Sequence, residues 1–348
     1  MGLDVLFAGL PTWVLILAFI AALVLIVKGG DSFVDAAGYI ASALKIPKLI
    51  VGATIVSFAT TLPELLVSVS ATAKGNVDMA AGNAIGSVTA NTALVMGILL
   101  LGMPIAVNKK DFTPKALILF GAACVLILSC IFTPKFSLTS VLADGEYYSL
   151  AVAGIVVLVI LCSAFFVQNI RGAKGAMQEA PVPGDAAIKP NKKDITKNIF
   201  LFILGAAGIV LGANVLVESG SEVAKRFGIE QRIISVIAFA IGTSLPELIT
   251  AISALRKKES AISVGNIIGA NIIDLTLILP MCSLTSSLKG NGALAVPVQA
   301  VVIDMSVCLI TIAIAVIPTI FRGKFSRVQG GVMLACYGAY VAVTCVKF

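Results

Sequence analysis

Thr60-Thr61-Leu62-Pro63-Glu64 recurs as Thr243-Ser244-Leu245-Pro246-Glu247, 183 positions later. The same shift carries Gly82-Asn83-Ala84-Ile85-Gly86 onto Gly265-Asn266-Ile267-Ile268-Gly269, and Asn91 onto Asp274. Pro63 has no amide hydrogen, so it should break the helix locally and free carbonyls around Ala59 and Thr60. Ser57, Thr60, Thr61 and Glu64 lie three, four or seven residues apart, so most of them share one helix face. The second copy offers the carbonyl at Ala240, the hydroxyls of Thr243 and Ser244, and the carboxylate of Glu247. Every ligand here is hard oxygen, and the chain holds no histidine. Such a set suits sodium, calcium, magnesium or protons and disfavours zinc and copper. Calcium takes roughly 6–8 oxygens, which two facing motifs supply and one does not. Two buried carboxylates without a neighbouring Lys or Arg must hold cations or take up protons. One divalent ion or two monovalent ions would neutralise the pair, and that exclusivity is a basis for exchange.

A bland reading stands beside each of these. One intramembrane glutamate can be a protonated structural group, but two copies at identical spacing after Leu-Pro argue for an ion site. The glycine pairs Gly82/Gly86 and Gly265/Gly269 fit close helix packing as well as chemistry. Ser87 and Asn91 are four residues apart and share a face, as do Ala270 and Asp274. Asp304, Asp31, Asp35, Glu218 and Glu222 stand near segment ends and are expected to snorkel or pair locally.

The elements that position these residues must lie in lipid. Of 348 residues, 59% are hydrophobic and 12% charged, with mean hydropathy +1.05. A soluble chain is about half apolar and about a quarter charged. Apolar runs approach 20 residues without strand alternation, which predicts an all-α integral membrane protein rather than a barrel. The seven cysteines are scattered singly, suggesting neither disulfides nor a zinc site. No cofactor site, nucleic-acid partner or obligate protein partner is indicated. Without histidine or a nucleophile–base pair, the sequence argues against an enzyme.

Ten apolar segments emerge: 12–42, 47–73, 77–101, 113–133, 147–168, 196–225, 230–255, 260–286, 293–318 and 328–346. A polar stretch, 171–197, is read as a flexible linker between residues 1–170, with ion motif 52–91, and residues 198–348, with ion motif 235–274. Lys and Arg divide seventeen against seven between the two sets of loops, Lys28 set aside. The richer set holds the linker and should be cytoplasmic, which places both termini outside the cell (inner) membrane. Five helices per half makes the second half enter from the opposite face. The prediction is therefore ten transmembrane helices as two inverted-topology five-helix repeats, with the site near the midplane between them.

At Gly52-Ala53-Thr54, Thr60 to Glu64, Gly82 to Ser87 and their second-half counterparts, the chain resembles the cation/calcium exchanger superfamily, most closely its prokaryotic sodium/calcium exchangers. The resemblance is specific over about 40 residues in each half and elsewhere rests on hydropathy. It implies a secondary active antiporter that exchanges several sodium ions for one calcium across the membrane by alternating access, using four clustered cation sites. Glu64 and Glu247 would be the shared central ligands, with Thr60 and Thr243 beside them. Ser57 and Ala240 would lend carbonyls to flanking sodium sites, and Thr61 and Ser244 would add oxygens. Ser87 would serve one flanking site, while Asn91 and Asp274 line the centre. The first and sixth helices would form a sliding pair. Two departures stand out: Ala270 replaces the family's usual serine, and Thr61 stands where serine is commoner. The alternatives are a proton/calcium exchanger of the same superfamily, which usually carries an acidic residue after Gly-Asn, and a cation channel.

Overall fold

Apolar residues without period-two alternation leave the backbone one way to satisfy itself in lipid, and the chain coils into helices along most of its length. A computed structural model describes residues 7–75, 77–132, 147–178, 192–228, 244–292, 294–298 and 300–347. Helix α1 is Thr12–Ala43 and α2 is Lys48–Ala73. Helix α3 runs Val77–Thr89, passes through a wide π turn at Ala90–Val95 and continues as Met96–Gly102. Helices α4 to α7 are Lys109–Ile131, Val152–Gln178, Lys192–Arg226 and Leu245–Arg256. Helix α8 is Ser260–Leu288, α9 is Ala300–Arg322 and α10 is Arg327–Lys347. All but α7 and α10 are long and apolar enough to cross a membrane, which gives eight such helices among the described residues. The first part of the predicted seventh segment, residues 230–243, lies outside the described residues.

Large apolar side chains cover the outside. Trp13 is 65% exposed, Phe200 63% and Leu66 61%. An apolar surface of this extent marks a membrane-facing protein rather than a soluble one.

Three expectations are corrected. Residues 147–149 and 295–297, inside the fifth and ninth predicted segments, form strands β1 (Tyr147–Ser149) and β2 (Ala295–Pro297), paired antiparallel with Tyr148 opposite Val296. Their aromatic and β-branched residues prolong an apolar run, so hydropathy alone does not separate them from the helices that follow. The linker is also shorter than 171–197, because α5 runs to Gln178 and α6 starts at Lys192. Hydropathy marks the hydrocarbon boundary, and a helix needs no such boundary to end. Residues 179–191 of that linker lie outside the described residues. Finally, α2 is not broken at Pro63, which sits within the continuous stretch Ser57–Ala73. The irregularity falls about two to three turns earlier, as a π turn at Gly52–Val56.

Two close approaches set the frame. Helices α1 and α6 touch backbone to backbone: a Cβ at Gly29 would lie 3.0 Å from the Gly205 carbonyl, and one at Gly205 would lie 2.8 Å from the Gly29 carbonyl. Phe33 and Phe202 stack on the same seam with centroids 4.4 Å apart. Helices α2 and α8 meet still more tightly. A Cβ at Gly265 would meet the Leu49 carbonyl, and one at Gly269 would meet the Ala53 carbonyl and Ser57 Oγ. Packing therefore accounts for the Gly265/Gly269 pair, as small-residue helix seams require.

The duplication is also visible in the backbone. The π turn at Ala90–Val95 in α3 has its counterpart at Asp274–Ile278 in α8. The left-handed turn after α2, at Gly75, recurs after α7 at Lys258; the one after α1, at Lys45, recurs after α6 at Gly228.

Candidate cation site

The helices that carry the duplicated motifs, α2, α3, α7 and α8, converge. Glu64 lies midway along α2 and is 1% exposed; Glu247 lies in the first turn of α7 and Asp274 in the π turn of α8, both 0% exposed. None of their six carboxylate oxygens has a donor in hydrogen-bonding geometry; the Thr60 hydroxyl stands beside Glu247 but gives its hydrogen to Asn266. The charge of Glu247 acts on both Glu64 and Asp274, and that of Asp274 on Glu64. None of the ion pairs among the described residues involves them. Three mutually repelling carboxylates without donors are costly to bury unless a cation or proton joins them.

Neutral oxygens surround the carboxylates. Ser57, Thr60, Thr61, Ser87, Asn91 and Ser244 are all buried. Ser244 Oγ and Asn91 Oδ1 have no hydrogen-bond partner. Asn91 stands inside the π turn of α3, where the widened turn loosens the backbone ladder; turns of this kind recur at functional sites. The Ser57 carbonyl, which the resemblance gives to a flanking site, accepts from Thr61 Oγ1 at 2.6 Å and lies 3.3 Å from Thr60 Oγ1. Ala240 and Thr243 lie outside the described residues. Ala270 is fully buried and brings a methyl to the face it shares with Asp274. Among the described residues, no three His, Cys, Asp or Glu side chains gather closely enough to hold a metal by themselves. A cation here would complete its shell from hydroxyls and carbonyls, as hard ions accept.

Five polar residues outside the predicted set matter. Thr60 Oγ1 donates to Asn266 Oδ1 at 3.1 Å, which joins α2 to α8. Asn83 Nδ2 donates to Ser68 Oγ at 2.9 Å and to the Glu64 carbonyl at 3.4 Å, fixing α3 against the turn that carries the glutamate. Both asparagines stand in the duplicated Gly-Asn motif, and that recurrence was the signal for them. Asn271 Nδ2 donates to Thr92 Oγ1 at 2.7 Å, a second tie between the halves. The repeat does not announce it, because the counterparts of Asn271 and Thr92 are Val88 and Leu275.

Three of the weaker acids have partners of their own. Asp35 pairs with Lys257 at 2.6 Å and Glu222 with Arg226 at 3.1 Å, while Asp304 accepts from the Tyr340 hydroxyl at 3.1 Å. Lys48 pairs with Glu259 at 2.7 Å. Two ion pairs thus bind the ends of α1 and α2 to the turn between α7 and α8.

Comparison with known proteins places this arrangement. The family described as sodium/calcium exchanger protein matches residues 14–168 and 197–346. The chain is 34% identical to "Inner membrane protein YrbG" of Escherichia coli over 267 residues, 76% of this chain and 78% of that protein. It is 28% identical to "Sodium/calcium exchanger MaX1" of Methanosarcina acetivorans, over 94% of this chain and 97% of the relative. A solved structure of the sodium-calcium exchanger NCX_Mj superposes with a TM-score of 0.78 at 25% identity, covering 95% of this chain and 99% of that one.

Proposed function

We propose, proceeding from the premise that this chain belongs to the sodium/calcium exchanger protein family, that it is a secondary active antiporter driving calcium against sodium by alternating access. The observation that carries this reading is the pair Glu64 and Glu247: one from each copy of the motif, both buried, four oxygens without a donor, each within reach of the other's charge. A calcium ion between them would cancel both charges. Sodium ions on the flanking oxygens would cancel them equally well, and one occupancy expels the other.

In this reading Thr60 and Thr243 join the glutamates at the calcium position. Ser57, Thr61 and Ser87 serve one flanking sodium position, and Ala240 and Ser244 the other. Asn91 and Asp274 line the centre. The ten helices form two five-helix repeats of opposite orientation, in the cell membrane, with both termini outside. The Lys- and Arg-rich loops support that sidedness. The backbone-to-backbone approach of α1 and α6 at Gly29 and Gly205 supports a sliding pair. The Asp35–Lys257 and Lys48–Glu259 pairs would hold the cytoplasmic end closed in the state described.

Calcium uptake into proteoliposomes tests the proposal. Uptake should be driven by an imposed outward sodium gradient and collapse when sodium is equalised. A channel would pass calcium without either dependence. One observation favours a second reading, exchange against protons: Ala270 gives no hydroxyl to the flanking position it borders. Uptake driven by a proton gradient alone would replace sodium with protons. If sodium is the co-ion, Ala270→Ser should lower the half-saturating sodium concentration by roughly three- to tenfold, the worth of one added ligand hydroxyl. An unchanged sodium curve would remove Ala270 from the site.

A further inference from the structure

Glu247 is followed, one helical turn nearer the Lys257 end of the molecule, by polar groups that the exchange site does not use. Thr250 Oγ1, Ser263 Oγ and Asn266 Nδ2 belong to residues that are 0% exposed, and none has a hydrogen-bond partner. They lie on a single helical hairpin. Helices α7 and α8 reverse at the left-handed turn of Lys258, where Lys258 and Glu259 donate to the Leu255 and Ala254 carbonyls. Thr250 and Asn266 each lie eight residues from Lys258, so they stand at one level; Ser263 lies five residues from it, and Glu247 eleven. At a rise of about 1.5 Å per residue, the Thr250 level is some 4–5 Å from Glu247 towards the turn, and the Ser263 level as far again.

The first copy of the repeat shows that these groups are not needed for packing. Thr250 and Ser263 have Val67 and Ala80 as counterparts. Asn83, the counterpart of Asn266, gives its Nδ2 to Ser68 Oγ at 2.9 Å and leaves only its Oδ1 without a partner. The counterpart of Ser68 is Ala251, and Asn266 Nδ2 therefore has no hydroxyl to meet. Leaving a buried polar group without a partner is costly, and three are left on this hairpin where the counterpart positions of the first copy leave one. Such groups call for an occupant.

We infer that Thr250, Ser263 and Asn266, with Glu247 above them, form an additional sodium site through which the ion passes between the central carboxylates and the membrane face that carries Lys257. The donor set fixes the ion class. Two hydroxyl oxygens, one amide and a carboxylate shared with the centre provide hard oxygen and little charge, which suits a monovalent ion better than calcium. The amide can supply oxygen, because Thr60 Oγ1 also lies 3.3 Å from the Ser57 carbonyl and can donate there instead. Asn266 then turns over, gives its Nδ2 to Thr60 and presents Oδ1 to the ion. The Asp35–Lys257 and Lys48–Glu259 pairs stand at the end of this file.

The inference rests on the exchange reading, and side-specific kinetics separate the two. In proteoliposomes, Thr250→Val should raise the half-saturating sodium concentration at the Lys257 face by roughly five- to tenfold. Ser263→Ala should act in the same direction, and the sodium curve at the opposite face should not follow. Thr250→Ser, which restores the hydroxyl, should restore the curve; valine keeps the volume of threonine, so a packing fault alone would not be rescued this way. Equal shifts at both faces, or none, overturn the site. If the wild-type protein proves not to exchange sodium for calcium at all, equilibrium binding of radioactive sodium to the purified protein decides. The Thr250→Val, Ser263→Ala double variant should hold one sodium fewer per chain, and an unchanged count means that these groups hold water only.

Discussion

Glu64→Gln is expected to reduce sodium-driven calcium uptake to the level of protein-free liposomes, a fall of about a hundredfold or more, and Glu247→Gln to do the same. Glutamine keeps the shape and one carbonyl oxygen but removes the charge that balances a divalent ion. Calcium sites tune affinity over orders of magnitude through the number of charged ligands, and this site has two central carboxylates to lose from. The same substitution has an opposite effect on the empty protein. Glu64 is buried beside the charges of Glu247 and Asp274 with no donor on either oxygen, so neutralising it relieves repulsion and desolvation together. In cation-free buffer the variant should therefore melt no lower than the wild type. Saturating calcium should raise the melting temperature of the wild type alone, because a ligand stabilises only the state that binds it. Wild-type uptake by either variant, or a calcium-dependent melt in both, would show that the glutamates do not hold the ion.

Much of the proposed site was legible because the chain repeats itself. The 183-residue shift singles out Glu64 and Glu247, and at these positions the structure has buried carboxylates without donors. The same shift picks out Asn91 and Asp274, and the paired π turns explain why those residues stand where the helix widens. What the repeat could not reveal is where the halves differ. Asn271 reaches Thr92 across the repeat interface, yet neither has a polar counterpart in the other copy. Thr250 and Ser263 are hidden for the same reason. A duplicated pattern reports what both halves need, and asymmetric contacts are invisible to it.

The limits of hydropathy were physical as well. A window of apolar residues reports transfer into hydrocarbon, whatever backbone geometry carries it. It therefore merged Tyr147–Ser149 with α5 and Ala295–Pro297 with α9, and it ended α5 short of the polar but helical turns up to Gln178. Proline misled in another way. Pro63 lacks an amide hydrogen, but α2 absorbs the loss inside a continuous helix, and the departure from regular geometry falls at Gly52–Val56, against the Ile262 carbonyl of α8. The irregularity falls at a tight interhelical contact rather than at the proline.

That contact carries the second large effect. A Cβ at Gly265 would come within 2.9 Å of the Ala53 amide nitrogen and closer still to the Leu49 carbonyl oxygen. Both neighbours are backbone, so no rotamer change can make room, and α2 and α8 must part. Asn266 and Thr60, joined across this seam at 3.1 Å, would be pulled out of reach. Gly265→Ala should thus destabilise the protein by at least about 3 kcal/mol, the upper range for overpacking, and abolish transport even in the fraction that stays folded. Gly338→Ala is the matched comparison: that glycine lies exposed on α10, and a methyl added there would meet nothing within 4 Å. There alanine should be neutral or stabilising by up to about 1 kcal/mol, as helix propensity dictates. Melting curves in detergent and calcium uptake after reconstitution read both variants. If Gly265→Ala melts and transports like Gly338→Ala, then α2 and α8 do not lie in backbone contact, and the convergence of the two motifs on one site fails with it.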